Sequence, residues 1–178
     1  MKLHIGCGKI ILSDWINLDI QPRDGVNIVD DARTLKSIED NSCDIIYACC
    51  VLEHFSRNEI PSILSLWNKK LKPGGILRIA VPDFENIALW YAKNKDLRKV
   101  LGLLIGGHKD QFDKHGMVFD KKVLSRLLEE SGFFCVSRWD WREVEHGQVD
   151  DYSQSYLPHM DKESGTLMSL NLQARKPK

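Results

Sequence analysis

Leu3-His4-Ile5-Gly6-Cys7-Gly8-Lys9, followed by Trp15-Ile16-Asn17-Leu18-Asp19, decides how the rest of the chain is read. A strand-like apolar run, residues 2–6, leads straight into Gly-x-Gly, and a second run, 15–20, carries an acid at its tip. Glycines at a strand end leave the backbone bare, so that a ligand can lie against it. A carboxylate at the tip of the next strand accepts hydrogen bonds from ribose hydroxyls. The pair points to a nucleoside-containing ligand. Gly-x-Gly alone occurs in many tight turns, so the later landmarks must decide. Only Cys7 to Asp14 separate the two strands. A parallel crossover with a helix needs about a dozen residues or more, so a loop or a single helical turn is expected in its place.

A chain of 178 residues suits one domain, 1–178, with one sizeable core. Its 25 Lys+Arg balance 25 Asp+Glu, for a formal net charge of zero. That balance gives no support to nucleic acid or an anionic membrane as the main partner. Lys69-Lys70-Lys72 and Lys121-Lys122 read as solvated helix faces. The five cysteines include no Cys-x-x-Cys and sit mostly in apolar runs, which suits reduced, buried thiols in the cytoplasm. Met1-Lys2 leads directly into the first strand without a signal-peptide pattern, and no apolar run reaches membrane-spanning length.

Further along, Gln21 to Gly25 is turn chemistry and 26–31 a third short strand ending in Asp30-Asp31. Residues 32–40 read as a short helix or loop. Asp44 to Cys50 is a continuous apolar run, as in a central parallel strand buried on both faces. Ser56 or Asn58 can cap a helix over 59–71, which Lys72-Pro73-Gly74-Gly75 stops before a fifth strand over 76–82. Helical periodicity returns over 84–93, 96–105 and 120–131, and a strand follows over 133–139. Residues 142–165 are irregular, and 166–174 alternate as a half-buried antiparallel strand does.

Taken in order, Leu3 to Gly8, Asn17-Leu18-Asp19, Asp31-Ala32, Asp44 to His54 and Leu71-Lys72-Pro73-Gly74-Gly75 resemble the landmarks of the class I S-adenosylmethionine-dependent methyltransferases, in the small methyltransferase-domain form. The resemblance covers residues 3 to about 82. It implies an α/β, Rossmann-like, doubly wound sheet of seven strands, order 3-2-1-4-5-7-6 with strand seven antiparallel. It implies S-adenosyl-L-methionine as cofactor and S-adenosyl-L-homocysteine as product. Carried over, Gly6, Cys7 and Gly8 approach the methionine and ribose parts. Asp19, with Ile20 beside it, holds the ribose hydroxyls. Asp31, with Ala32, accepts from the adenine amine, and Ala48, Cys49 and Cys50 present backbone to the methionyl group. Two departures stand out. Ile10 replaces the third glycine of the family loop, and the first crossover helix is truncated. A dinucleotide site wants a helix N-terminus facing its pyrophosphate; S-adenosylmethionine carries none.

The resemblance identifies no catalytic residue. For a hydroxyl acceptor a base must take a proton, and the candidates are His54, His108, His115 and Asp83. Cys49 and Cys50 read as packing residues, since no base is placed beside them. His108, Asp110, Asp113 and His115 match no justified metal-ligand spacing, so no metal is expected. Trp139, Trp141 and Arg142 read as strand-edge packing. A lid must come from 84–118, from 142–165, or from the second subunit of a homodimer. The expected activity is methyl transfer to a small molecule, such as a hydroxyl of a sugar or other metabolite. The alternatives are a non-catalytic S-adenosylmethionine-binding or partner module, an aminopropyl transferase on the same fold, and a nucleotide-sugar or nicotinamide enzyme, the last disfavoured by the missing helix.

Overall fold

The computed structural model describes residues 1–178. Its centre is a seven-stranded sheet in the order β3-β2-β1-β4-β5-β9-β6. The strands are β1 (Lys2–Ile5), β2 (Ile16–Asp19), β3 (Ile28–Val29), β4 (Cys43–Cys49), β5 (Leu71–Pro82), β6 (Phe134–Arg138) and β9 (Ser169–Arg175). A two-residue hairpin, β7 (Tyr156–Leu157) with β8 (Thr166–Leu167), lies outside the sheet. Without it, β9 is the seventh strand and the order is 3-2-1-4-5-7-6. β1 to β5 are parallel, and β9 runs antiparallel between β5 and β6.

The helices are α1 (Ile60–Lys70), α2 (Phe84–Asn94), α3 (Leu97–Ile105) and α4 (Lys121–Glu130). Asp83, Asp96 and Asp120 cap the last three, each side chain accepting a backbone N–H of the first turn. α1 has no side-chain cap. Ser56 instead directs its N–H and hydroxyl to Glu59 Oε2, at 2.9 and 2.6 Å. No helix is long and apolar enough to cross a membrane.

Side chains alternate across a strand, so each strand contributes to both faces of the sheet. Leu3, Ile5, Leu18, Ile46, Ala48, Leu77, Ile79 and Leu172 face one side, where Ile60, Leu64 and Trp67 of α1 and Leu124 and Leu128 of α4 complete the main core. His4, Asn17 and Tyr47 face the other side, beside a smaller cluster of Leu12, Trp15, Cys49, Ala80 and Trp139. Irregular chain and two short 3-10 turns, Trp141–Glu143 and Tyr152–Gln154, cover that second side in place of an α-helix. Gly6 to Trp15 joins β1 to β2 without a helix, as its length requires.

Three boundaries differ from the sequence reading, while residues 32–40 take the loop form of the helix-or-loop expectation. β3 keeps only Ile28–Val29 of 26–31, because the Asn27 side chain takes a strand donor, the Asn17 N–H, at 2.8 Å. Residues 32–40 form turns: Asp30 folds back to accept the N–H of Asp31 and of Ser37, both at 2.7 Å. Leu71-Lys72-Pro73-Gly74-Gly75 is the irregular start of β5, with a register shift between Cys43 and Ile45 on β4 and Gly74 at φ +79°. The alternating run 166–174 breaks at Met168, whose N–H turns to Ser155 O at 2.7 Å.

Candidate functional site

Two cavities open at the carboxyl ends of the central strands. The first, about 630 Å³, is floored by Gly6, Gly8, Asp19, Ile20, Asp31 and Ala32 and bounded by His54, Phe55 and Phe112. The second, about 740 Å³, is lined by Cys7, Cys49, Glu53, Arg98, His115 and Asp151 among others. Gly6, Gly8, Cys50, His54 and Asp113 belong to both. The glycine loop and the end of β4 are therefore a shared wall.

Gly6 has φ +64°, and a Cβ there would meet Val51 Cγ2 at 2.4 Å, so both conformation and space demand glycine. Gly8 has φ +54° and nothing within 4 Å of where a Cβ would stand. That room faces the cavities, where a ligand can approach bare backbone. Asp19 is nearly buried and fastens the loop, accepting Gly8 N–H at 2.8 Å and Gln21 N–H at 2.9 Å. Each carboxylate oxygen keeps lone-pair capacity for a ligand hydroxyl. Asp31 is gripped by Arg33 through Nε and Nη2 at 2.7–3.0 Å, and that guanidinium holds its carboxyl below the usual range. Asp30 lines the same cavity.

The Ala48 side chain points away from the cavities, which leaves only its backbone for a ligand. Ala48 is a core residue on the helix-covered face and lines neither cavity, because strand alternation turns it away from Tyr47 and Cys49. Cys50 adopts φ +53°, a left-handed conformation rare outside glycine, at the end of β4. A hydrogen bond with Cys49 and burial push its thiol well above the ordinary range, and burial raises Cys49 as well. Cys7 is pushed to about 11 by burial and the Asp19 charge. None of the three is poised as a thiolate.

The four candidate bases separate. His54 lines both cavities and His115 the second. Their rings lie edge to face, 5.0 Å between centroids. His54 Nδ1 is 3.1 Å from Lys114 O, and His115 Nδ1 is 3.2 Å from Leu103 O. A carbonyl only accepts, so in both rings Nδ1 carries the proton and Nε2 keeps its lone pair. His108 is exposed, lines neither cavity, and turns Nε2 to Ile105 O at 2.9 Å. Asp83 is fully buried. Its carboxylate caps α2 at Glu85 N–H and pairs with Arg138 at 3.3 Å, so it faces neither cavity.

Glu53 had no sequence signal. It sits on a single 3-10 turn, Leu52–His54, is 1% exposed, and neither carboxylate oxygen has a hydrogen-bond partner. Burial pushes its carboxyl up to about 7. The segments 84–118 and 142–165 both reach the second cavity, through Arg98, Lys99 and Lys109 and through Asp151 and Tyr152. Trp139 packs within the second face, its indole N–H shared between Ile79 O and Leu172 O, and Arg142 stacks on Trp141 at 4.3 Å.

This sheet order, with a glycine-floored cavity at the switch between β1 and β4, defines a class I methyltransferase fold. Residues 18–79, about a third of the chain, match the methyltransferase domain family. Among curated proteins it is similar to O-methyltransferase 3 of Dictyostelium discoideum, 31% identical over 111 residues. That match takes in 60% of this chain and spans about a quarter, 24%, of the relative's length. A S-adenosylmethionine-dependent methyltransferase from Archaeoglobus fulgidus superimposes with a TM-score of 0.59 at 20% identity, over 98% of this chain and 85% of that one. A possible histamine N-methyltransferase from Thermotoga maritima does so with 0.61 at 19% identity, over 98% and 81%. These structural likenesses carry the fold.

Proposed function

We propose that this chain transfers the methyl group of S-adenosylmethionine to a small-molecule acceptor, on a hydroxyl oxygen of a sugar or comparable metabolite. One observation carries the reading: the glycine-floored cavity and its neighbour share the wall Gly6, Gly8, Cys50 and His54. A donor in the first and an acceptor in the second meet there. The name of the Dictyostelium relative points to an oxygen acceptor. Lys9, Arg98, Lys99 and Lys109, with Glu53, Asp113 and Asp151 opposite in charge, line the second cavity and suit a polar acceptor.

The residues fit the cofactor. Open space at Gly8 admits the ligand against backbone, Asp19 stands where ribose hydroxyls arrive, and Asp31 with Ala32 lies under the adenine end. Bound there, S-adenosylmethionine supplies an already activated methyl on a sulfonium sulfur. The chain's part is to align the acceptor oxygen in line with that methyl and to exclude water. The loop Asp110 to Asp113 and the turn at Asp151 and Tyr152 serve as walls. One of His54 and His115, each with Nε2 free, receives the hydroxyl proton as the new C–O bond forms and the methyl's bond to sulfur breaks, leaving S-adenosylhomocysteine.

Calorimetry with S-adenosylhomocysteine tests the reading. Wild type binds; Asp19→Ala binds roughly 10- to 100-fold more weakly, the loss expected for a hydrogen bond to a charged group. No binding by wild type overturns the proposal, and equal binding by both overturns the ribose role of Asp19. A second reading, a non-catalytic S-adenosylmethionine-binding module, draws on the bidentate hold of Arg33 on Asp31. Turnover by mass shift across hydroxylated acceptors separates the two.

A further inference from the structure

Where the two cavities join, the fold gathers Glu53, His54 and His115, one donor atom of each lying within 4.8 Å of the others. The gathering is built. Gly116 N–H and Met117 N–H both donate to Glu53 O, at 2.7 and 3.2 Å, clamping the His115 segment onto the 3-10 turn. A Cβ on Gly116 would lie 2.6 Å from Phe55 O, so the approach of the two segments needs glycine at that position. Both imidazoles spend Nδ1–H on a backbone carbonyl, Lys114 O and Leu103 O. That is how metal-bound histidines are held, with the second nitrogen fixing tautomer and ring orientation. Glu53 adds the independent sign: it is 99% buried, borders the second cavity, and both its oxygens lack a partner. Buried carboxylates are paired or coordinate metals.

We propose that Glu53, His54 and His115 form a binding site for a divalent transition-metal ion, of the zinc, manganese or cobalt kind, at the junction of the two cavities. Two imidazoles and one carboxylate are the donors such ions take, whereas magnesium and calcium prefer oxygen throughout. Ligands held about 2.0–2.2 Å from one ion stand roughly 3–4 Å apart, so rotamer-scale closure from the present spread suffices. Three protein ligands leave coordination positions open toward the second cavity. Resting on the methyl-transfer reading, the ion would bind the acceptor hydroxyl and lower its pKa, so that the proton passes to water through the open second cavity and the alkoxide oxygen takes the methyl as its bond to the sulfonium sulfur breaks. The spacing of His108, Asp110, Asp113 and His115 matches no ligand pattern, so the sequence expectation is of no metal. Of these, His108 is turned away, and the partners of His115 come from the end of β4.

The experiment titrates Co²⁺ into chelator-stripped full chain, in a Cys135→Ser background that removes the exposed thiol. Visible d–d absorption and calorimetry read the binding. The expected result is one ion per chain, displaced by Zn²⁺. Binding should weaken about 100-fold or more in Glu53→Gln and in His115→Asn, because even outer partners of a metal ligand cost 10–100-fold. Circular dichroism and S-adenosylhomocysteine binding, on the same samples, report whether each variant is folded; a third variant, His54→Asn, stands in for one that is not. Absence of the cobalt spectrum in wild type overturns the site, as does unchanged affinity in the folded variants. Cobalt binding without S-adenosylhomocysteine binding upholds the site and sinks the methyl-transfer reading. The converse sinks the site alone.

Discussion

The two faces of the sheet are made of different materials. On the helix-covered face, Leu3, Ile5, Leu18, Ile46, Leu77, Ile79 and Leu172 meet α1 and α4 in a core of aliphatic side chains. On the other, His4, Asn17, Tyr47 and His146 are buried beside Trp15 and Trp139 under irregular chain. Rings stack there: Tyr47 lies 5.2 Å from His4 and 4.0 Å from His146, with interplanar angles of 23° and 29°. Polar contacts thread between them, such as His4 Nδ1 to Asn17 Oδ1 at 3.2 Å and Tyr47 OH to Asp151 at 2.6 Å. Aliphatic burial is non-directional and supplies stability; hydrogen bonds such as these are directional and position particular atoms, although buried His146 Nε2 itself has no partner. The first face holds the sheet together. The second ends at Asp151 and Tyr152, on the wall of the second cavity.

The strongest way to break the helix-covered face is Trp67→Ala. Trp67 is fully buried on α1, and its indole N–H reaches Ala32 O at 2.9 Å, tying the main core to the loop that carries Asp31. The expected cost is about 3–5 kcal/mol in urea unfolding, from lost burial and the cavity left behind. A loss under about 1 kcal/mol would mean that this face is not the main source of stability.

Next in size is the acid response of the second face. Burial lowers His146 from 6.5 to about 4, so it is neutral in the fold, while Asp151, Arg78, Glu145 and His4 act on it by charge. The unfolded chain takes up a proton near 6.5 that the folded chain refuses until about 4. This stabilisation is complete above pH 6.5 and is lost as pH falls toward 4. At pH 5 the loss is about 2 kcal/mol relative to neutral pH. His146→Phe keeps a ring among Trp15, Tyr47 and Trp139 and removes the titration. Urea midpoints of both proteins at pH 7.5 and 5 check it: wild type should lose about 2 kcal/mol more than the variant.

The contrast between the faces also explains what could be read in advance. Gly6, Gly8 and Asp19 were legible because a left-handed glycine and a strand-end acid are local features. The helix-covered face was legible because apolar alternation and helical stripes repeat along short windows. Glu53 with His115, and Tyr47 with Asp151, were not, because each pair forms only when distant segments meet; Tyr47 and Asp151 are 104 residues apart. Asp83 and His108 had the right chemistry and proximity in sequence. Yet the first is consumed by capping α2 and pairing Arg138, and the second by its turn at φ +54°. Local chemistry identifies which residues can act, and the cavity decides which of them do.

The finest test separates the faces at a single atom. Tyr47→Phe keeps the ring between His4 and His146 and deletes only the hydroxyl that donates to Asp151. Burial, with the charge of Asp151, pushes that phenol well above its usual range, so it remains a donor at any working pH. Asp151 also caps the short turn Tyr152–Gln154, its Oδ1 accepting Ser153 N–H at 2.9 Å. Losing the phenol leaves one carboxylate oxygen short of a donor and loosens that turn. The cost in stability should be about 1–2 kcal/mol. If the second face positions the acceptor, KM for the acceptor rises several-fold while S-adenosylhomocysteine affinity stays within about twofold of wild type, since Gly8, Asp19 and Asp31 are untouched. Equal losses on both sides would mean that the network buttresses the shared wall at Gly6 and Cys50 as well, and that the faces do not divide the work between stability and positioning.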